Sequence, residues 1–129
     1  MRVFLIGLFG ILGVYSRYYA GLGVGKLVSH PFPAGTFLIN IVGAFVIGSI
    51  YVLGIEKAVL SEDLRIGIMV GFLGGFTTFS SYALETARLI EEGNTWNAIA
   101  YLGLSPILGL AAAFAGLFLA RTFVGGTSL

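Results

Sequence analysis

Residues 71–82, GFLGGFTTFSSY, form an uncharged segment that combines adjacent glycines with hydroxyl side chains and aromatic rings. The pair Gly74–Gly75 weakens a helix, and Thr77 and Thr78 follow shortly after it. A helix break here would free carbonyl groups that can hold a cation such as Na⁺, and N–H groups that can hold an anion. The alternative is a continuous helix in which the hydroxyls donate to carbonyls one turn earlier. The composition of the segment leaves both interpretations open.

The composition of the whole chain indicates whether this segment lies in water or in a membrane. Of its 129 residues, 57% are hydrophobic and 10% are charged, with a mean hydropathy of +1.00, whereas soluble domains carry roughly 25% charged residues. The sequence therefore predicts an integral membrane protein, and its length predicts a single domain over residues 1–129. Because cysteine is absent, disulfides and thiolate metal sites are excluded. A net charge of +1 gives no electrostatic case for a nucleic-acid partner.

The uncharged stretches predict four transmembrane helices, since a spanning helix needs about 20 mostly apolar residues. We expect these helices at about residues 3–22, 33–54, 65–90 and 95–121. Pro31 and Pro33 separate the first two helices, and Gly93 is a stop signal after the third. The predicted fold class is an all-α integral membrane protein, and the residues alone leave open whether its third helix is broken.

The distribution of lysine and arginine gives little preference for one orientation in the membrane. With four spans, one side holds four of these residues: Arg2, Lys57, Arg65 and Arg121. The other side holds three: Arg17, Lys26 and Arg88. Because the positive-inside rule needs an excess on one side, the near balance favours dual topology, in which two copies of opposite orientation form an antiparallel homodimer. The alternative is that an excess of one charge is enough to orient the chain.

Thr36 and Asn40 lie four residues apart in the second predicted helix, and hence on one face of it. Asn40 falls near the middle of this span, where a polar amide is costly and usually faces the bundle interior or a watery path. Its amide offers two donors without charge. The alternative role is a hydrogen bond that joins two helices.

Two further pairs place aromatic or hydroxyl groups on single helix faces. Phe79 and Tyr82 are three residues apart, and the positive edges of their rings can contact an anion. Ordinary packing is the alternative for this pair. Tyr101 and Ser105 are four residues apart in the last helix and provide hydroxyl donors on one face.

The candidate pore residues derived in this way are neutral donors: Thr36, Asn40, Thr78, Ser81, Tyr82, Tyr101 and Ser105. The first two spans contain no Asp or Glu, and Glu85 is the only acidic residue close to the interior of a span. A proton-coupled exporter of cations usually needs a membrane carboxylate, whereas neutral donors suit a small anion that must exchange its water without being trapped. The sequence shows no pair of nucleophile and base, so we do not expect an enzyme.

Three segments together resemble the Fluc fluoride channels, also called CrcB proteins. They are GVYSRYYAG at 13–21, PAGTFLINIVGAFVIG at 33–48 and GFLGGFTTFSSYALE at 71–85, in the order and spacing of the family. The resemblance implies a multi-pass protein of the cell inner (plasma) membrane that passively exports fluoride from the cytoplasm through a fluoride-selective channel. It also implies a homodimer of two inverted four-helix subunits, with two pores along the subunit interface and a structural Na⁺ at the dimer centre.

The resemblance assigns roles to individual pore residues. Asn40 matches the pore asparagine, and Phe79 matches the first of two phenylalanines that contact fluoride. Tyr101 and Ser105 match polar positions along the pore. Arg17 matches an arginine near the pore vestibule.

The resemblance also implies a cation site, and this sequence departs from the family pattern at Val14, where alanine is frequent, and at two pore positions. Gly74 and Thr77 match the break whose backbone carbonyls hold Na⁺. Tyr82 stands where the family usually has its second phenylalanine, and Gly109 stands where a further serine is expected on the last helix.

Two other functions remain alternatives. A small multidrug-type transporter would also have about four helices and dual topology, but the first span lacks the carboxylate that such a transporter needs. A structural membrane subunit would need no pore, and hydroxyl groups beside a glycine break argue against it. For the dimer, a paralogous chain is the alternative to a second identical copy.

Overall fold

The regular structure of the chain is helical throughout residues 1–125, the part that the computed structural model describes. Helix α1 is Arg2–Leu27, and helix α2 is Ala34–Tyr51, continued by a π-helix, π1, at Val52–Glu56. The third span consists of α3 (Glu62–Ile66), the π-helix π2 (Gly67–Phe72), α4 (Leu73–Phe76) and α5 (Phe79–Glu91). Helix α6 is Thr95–Gly125. Over this range, four helical spans are long and apolar enough to cross a membrane, which confirms the predicted fold class of an all-α, four-span membrane protein.

Local signals explain where the spans end. Gly93 has φ +77, and its N–H donates to the Ile90 carbonyl at 3.1 Å, so this glycine ends α5 as its position in the sequence predicts. The end of α1 differs from the expectation at about residue 22, because the helix continues to Leu27. The chain first meets a proline at Pro31, and the long stem of Lys26 can cover apolar surface while its charge reaches the membrane boundary.

Helices α2 and α6 pack with their backbones in close contact and make up one half of the bundle. A Cβ atom added to Gly48 would overlap with the Ala113 carbonyl, and one added to Gly116 would overlap with the Phe45 carbonyl. Close packing of this kind stabilises helix association in lipid, where the hydrophobic effect does not drive helices together. Helix α1 packs on the other side, against π2 and α4 of the third span.

Ion pairs join three parts of the chain at one end of the bundle. Arg2 lies 3.1 Å from Glu62 and 2.9 Å from Asp63, both at the start of the third span. Arg121, near the end of α6, pairs with Glu56 at the end of π1. The N-terminus, the second loop and the end of α6 therefore lie on one side, as an even arrangement of four spans requires.

Candidate functional site

The third span is interrupted at Thr77 and Thr78. Both residues have extended backbone, with ψ 157 at Thr77 and φ −152, ψ 116 at Thr78. The break expected in this segment is therefore present, but its position differs from that of the glycine pair. Gly74 and Gly75 stay helical within α4, and the extended residues come after them.

Asn40 of α2 holds this interruption in place. Its Nδ2 donates to the Thr78 carbonyl at 3.0 Å, and its Oδ1 accepts from the Thr78 N–H at 2.8 Å. In a continuous helix the Thr78 N–H would instead bond to the Gly74 carbonyl, four residues earlier. The amide thus joins two helices, as one of the two predicted roles requires, and at the same time it deprives Gly74 of its helical donor.

Hydroxyl groups complete the hydrogen bonding on either side of the break. Thr78 is 8% exposed, and its Oγ1 caps α5 by accepting from the Ser81 N–H at 3.2 Å. The same Oγ1 donates to Ser81 Oγ at 3.0 Å. Thr77 Oγ1 donates back to the Leu73 carbonyl at 2.8 Å. The span is broken, so the interpretation as a continuous helix is wrong, although Thr77 still bonds one turn back.

An open groove of about 500 Å³ lies beside the break, lined by residues of α2, the third span and α6. Most of its lining is apolar, with Ile47 and Met69 among the contributing side chains. Ser105 Oγ is buried here and has no hydrogen-bond partner among the residues that the structure describes. Seven residues predicted from the sequence line this groove: Asn40, Gly74, Thr77, Thr78, Phe79, Tyr82 and Ser105.

A row of aromatic rings runs from the surface of the bundle into its interior. Phe79 is 79% exposed, and its ring centroid lies 5.7 Å from that of Tyr82. The Tyr82 ring in turn meets the ring of Tyr101 edge-on at 5.0 Å, and Tyr101 is fully buried. Phe32 closes the row with an edge-on contact to Tyr101 at 5.4 Å.

Glu85 is the centre of a polar cluster at the inner end of this row. Thr36 Oγ1 donates to Glu85 Oε1 at 2.6 Å, and Tyr101 Oη donates to Glu85 Oε2 at 2.7 Å. Two predicted pore residues from different helices thus meet on one carboxylate that the sequence analysis did not include in the site. The signal was available, because Glu85 is the only acidic residue close to the interior of a span.

Arg17 is the predicted site residue that the fold keeps apart from the others. It lies half-buried on α1, outside the set of residues that line the groove. Ser81, by contrast, reaches the break through its two hydrogen bonds with Thr78.

The arrangement offers backbone carbonyls to a cation and neutral donors to an anion. Residues 1–125 contain no group of three His, Cys, Asp or Glu side chains able to hold a metal ion, so side chains of that kind do not form a cation site here. Oxygen ligands suit hard cations, and the Gly74 carbonyl, released by Asn40, is one such ligand. Gly74 is exposed, and a Cβ atom added there would meet nothing within 4 Å.

Comparison with known proteins places the chain in one family along most of its length. The sequence profile described as CrcB-like protein, Camphor Resistance (CrcB), matches residues 4–117. A protein named fluoride-specific ion channel FluC from Geotalea uraniireducens (strain Rf4) is 44% identical over 119 residues, which cover 92% of this chain and 96% of the relative. Proteins of the same name from Geobacter sulfurreducens and Pseudomonas syringae pv. tomato are 40% identical, with the same coverage. This similarity extends over nearly the full length of the relatives, and the chain belongs to the CrcB family.

Proposed function

We propose that this protein is a fluoride-selective channel of the inner membrane that passively exports fluoride and so lowers its concentration in the cytoplasm. The observation that carries the proposal is the break at Thr77 and Thr78, held by Asn40 beside a groove with neutral donors. Non-helical backbone at membrane depth is tolerated where it is buried in protein or lines a cavity. Relatives of about 40% identity named fluoride-specific ion channel support this function over a small multidrug-type transporter.

The working unit in this proposal is a homodimer of two inverted copies. Phe79 is 79% exposed on a single chain, and the groove beside it is open. A second copy of opposite orientation would cover this ring and the break, and would turn an open groove into an enclosed path. The near balance of lysine and arginine between the two sides supports insertion in both orientations. A paralogous chain in place of the identical copy would satisfy the same geometry.

Fluoride passage requires donors that replace the water held tightly by the ion. Asn40 uses one of its two N–H hydrogens on Thr78 and keeps the other. The unpartnered hydroxyl of Ser105 is a second donor in the same groove. The ring edges of Phe79 and Tyr82 add weak positive potential without a full charge. Neutral donors of this kind allow the ion to leave again, which conduction needs.

The cluster around Glu85 lies next to the groove rather than in its lining, and the hydroxyls of Thr36 and Tyr101 both donate to its carboxylate. A carboxylate repels fluoride, so in this proposal the cluster fixes the positions of Thr36 and Tyr101 at the inner end of the aromatic row. The anion path itself follows the neutral donors of the groove.

A structural Na⁺ is part of the proposal. Its ligands are the backbone carbonyls of Gly74 and Thr77, contributed by each of the two copies. The Thr78 N–H donates to Asn40 instead of to the Gly74 carbonyl. The Gly74 carbonyl therefore lacks its helical donor and is able to bind a cation. Carbonyl groups at a discontinuous helix are the ligands that Na⁺ uses in other membrane proteins.

Efflux from liposomes tests the function directly. Purified protein is reconstituted in vesicles loaded with fluoride, and an electrode follows fluoride release after the membrane potential is clamped with K⁺ and valinomycin. Matched vesicles loaded with chloride serve as the control for selectivity. Fast loss of fluoride without loss of chloride supports the channel, whereas a folded dimer that releases neither ion contradicts it. Proton-driven uptake of a cationic dye in the same vesicles would instead favour the multidrug-type transporter.

A further inference from the structure

Pro106 leaves an open hydrogen-bond acceptor inside α6. The helix continues through this proline without interruption, from Thr95 to Gly125. Proline has no N–H, so it cannot donate to the carbonyl four residues earlier, and its ring pushes that carbonyl away from the helix axis. The affected carbonyl belongs to Leu102. At membrane depth a backbone carbonyl without a donor is costly, so a donor from another part of the protein stabilises it.

The hydroxyl of Tyr82 supplies that donor from another helix. Tyr82 Oη donates to the Leu102 carbonyl at 2.9 Å, across the contact between α5 and α6. A phenol has a single hydrogen to donate. The hydrogen is committed to the backbone, and it is therefore not free for an anion in the groove.

The same bond fixes the place of the Tyr82 ring. The ring lies between those of Phe79 and Tyr101, tilted by 52° to the first and by 65° to the second. A phenylalanine at this position would keep these ring contacts but would lose its attachment to α6. The residue thus has two separable parts: a ring that lines the groove and a hydroxyl that holds the ring there.

We propose that Tyr82 is a positioning residue whose hydroxyl satisfies the Leu102 carbonyl left open by Pro106 and thereby fixes the aromatic row of the groove. The part of this inference that concerns the groove rests on the proposed channel function. The part that concerns the hydrogen bond does not. The hydroxyl that distinguishes Tyr82 from a phenylalanine thus has a partner in this chain, the Leu102 carbonyl.

A double-mutant cycle tests the hydrogen bond without any fluoride. The four proteins are the parent, Tyr82→Phe, Pro106→Ala and the double variant, unfolded with SDS from mild detergent. In the parent, Tyr82→Phe leaves the Leu102 carbonyl without a donor, and we expect the unfolding equilibrium constant to rise about tenfold, the usual effect of one hydrogen bond. In the Pro106→Ala background the new N–H of residue 106 bonds to the same carbonyl, so Tyr82→Phe should change the constant less than about twofold. Equal effects in both backgrounds would overturn the proposal.

The exposed Tyr15 provides a matched control, since it is 60% exposed on α1. Tyr15→Phe should leave the unfolding equilibrium unchanged in both backgrounds. If Tyr82→Phe alone does not fold, folding of the double variant supports the proposal, and failure of the double variant overturns it.

The dependence of the flux on fluoride concentration distinguishes a positioning role of Tyr82 from a purely stabilising one. A variant that is only less stable lowers the maximal flux but keeps the fluoride concentration at half-maximal flux. We expect Tyr82→Phe to raise this concentration several-fold in both backgrounds, because the double variant restores the carbonyl's donor but not the attachment of the ring. An unchanged concentration in both backgrounds would show that the ring is not held by the hydroxyl. If the parent carries no fluoride, the proposed function fails, and the unfolding cycle still decides the hydrogen bond.

Discussion

The side-chain amide of Asn40 pairs with both backbone groups of Thr78, accepting from its N–H at 2.8 Å and donating to its carbonyl at 3.0 Å. A neighbouring residue in a β-ladder would make the same two bonds, and here a side chain makes them within a helical bundle. The two polar groups of Thr78 are satisfied although no helix includes this residue. The amide therefore stabilises an interruption that would otherwise be costly in hydrocarbon.

Asn40→Asp should weaken the break and block the anion path. A carboxylate cannot donate to the Thr78 carbonyl, so the free energy of unfolding should fall by about 1–3 kcal/mol. The added negative charge lies in the groove, and we expect fluoride efflux from liposomes to fall by more than about tenfold, or about 1.4 kcal/mol. Unfolding in SDS and fluoride efflux measure the two effects separately.

Asn94→Asp is the matched control for this change. Asn94 precedes α6, where a negative charge near the helix N-terminus is favourable. The variant should keep both stability and efflux. Undiminished efflux in Asn40→Asp would remove Asn40 from the lining of the path.

Gly116→Ala should destabilise the pairing of α2 with α6. Its Cβ would overlap with the Phe45 carbonyl, and backbone of this kind cannot move aside like the end of a side chain. Overpacking of this type costs about 1–3 kcal/mol. Gly109→Ala, two turns earlier on the same helix, meets nothing within 4 Å and should cost less than about 0.5 kcal/mol. Unfolding in SDS compares the two variants, and equal losses would contradict the close contact.

Ser105→Ala should separate conduction from stability. No hydrogen bond of the described chain is lost with this hydroxyl, so the free energy of unfolding should stay within about 0.5 kcal/mol of the parent. Fluoride efflux should fall about tenfold if the hydroxyl replaces water around the ion. Ser49→Ala is the converse control, because Ser49 lies outside the groove and its hydroxyl contacts the Phe45 carbonyl at 3.1 Å and the Gly116 carbonyl at 3.4 Å, so this variant should lose stability and keep its flux. A Ser105→Ala channel with parental flux would exclude this hydroxyl from the path.

If the proposed dimer binds Na⁺ at its centre, removal of Na⁺ should destabilise the dimer without affecting the fold of one chain. Exchange of Na⁺ for N-methyl-D-glucamine removes the ion that the Gly74 and Thr77 carbonyls would hold. A ligand present at a hundred times its Kd stabilises by about 2.7 kcal/mol, so the dimer should dissociate at correspondingly lower detergent concentration. Size-exclusion chromatography follows the dimer, and exchange of chloride for gluconate at constant Na⁺ is the control. An unchanged dimer fraction in N-methyl-D-glucamine would count against a Na⁺ site at Gly74 and Thr77.

The spans could be predicted from the sequence because their causes are local. Charged residues, Pro31, Pro33 and Gly93 limit the apolar stretches, and these signals act within a few residues of a helix end. The two π-helices carry no such signal.

The exact place of the break and the centre of the polar cluster depend on distant partners. The glycine pair indicated an interruption, but Asn40, 38 positions from Thr78, decides which residue leaves the helix. Glu85 gains its two hydroxyl partners from residues 49 positions earlier and 16 positions later. Tyr82 is an intermediate case. A proline at position 106 of α6 leaves the Leu102 carbonyl without its helical donor, but only the fold shows which hydroxyl reaches that carbonyl.

We expect the open groove beside the break to shorten the lifetime of a single chain in the cell. A newly inserted single chain carries on its surface the exposed ring of Phe79 and the exposed Gly74, whose carbonyl has lost its helical donor. Lipid does not tolerate irregular backbone at that depth, so an orphan subunit presents the features that membrane proteases and quality-control chaperones recognise. If the working unit is the proposed inverted dimer, we expect the abundance of the protein to follow the rate at which chains of the two orientations meet, and an excess of either orientation to be degraded.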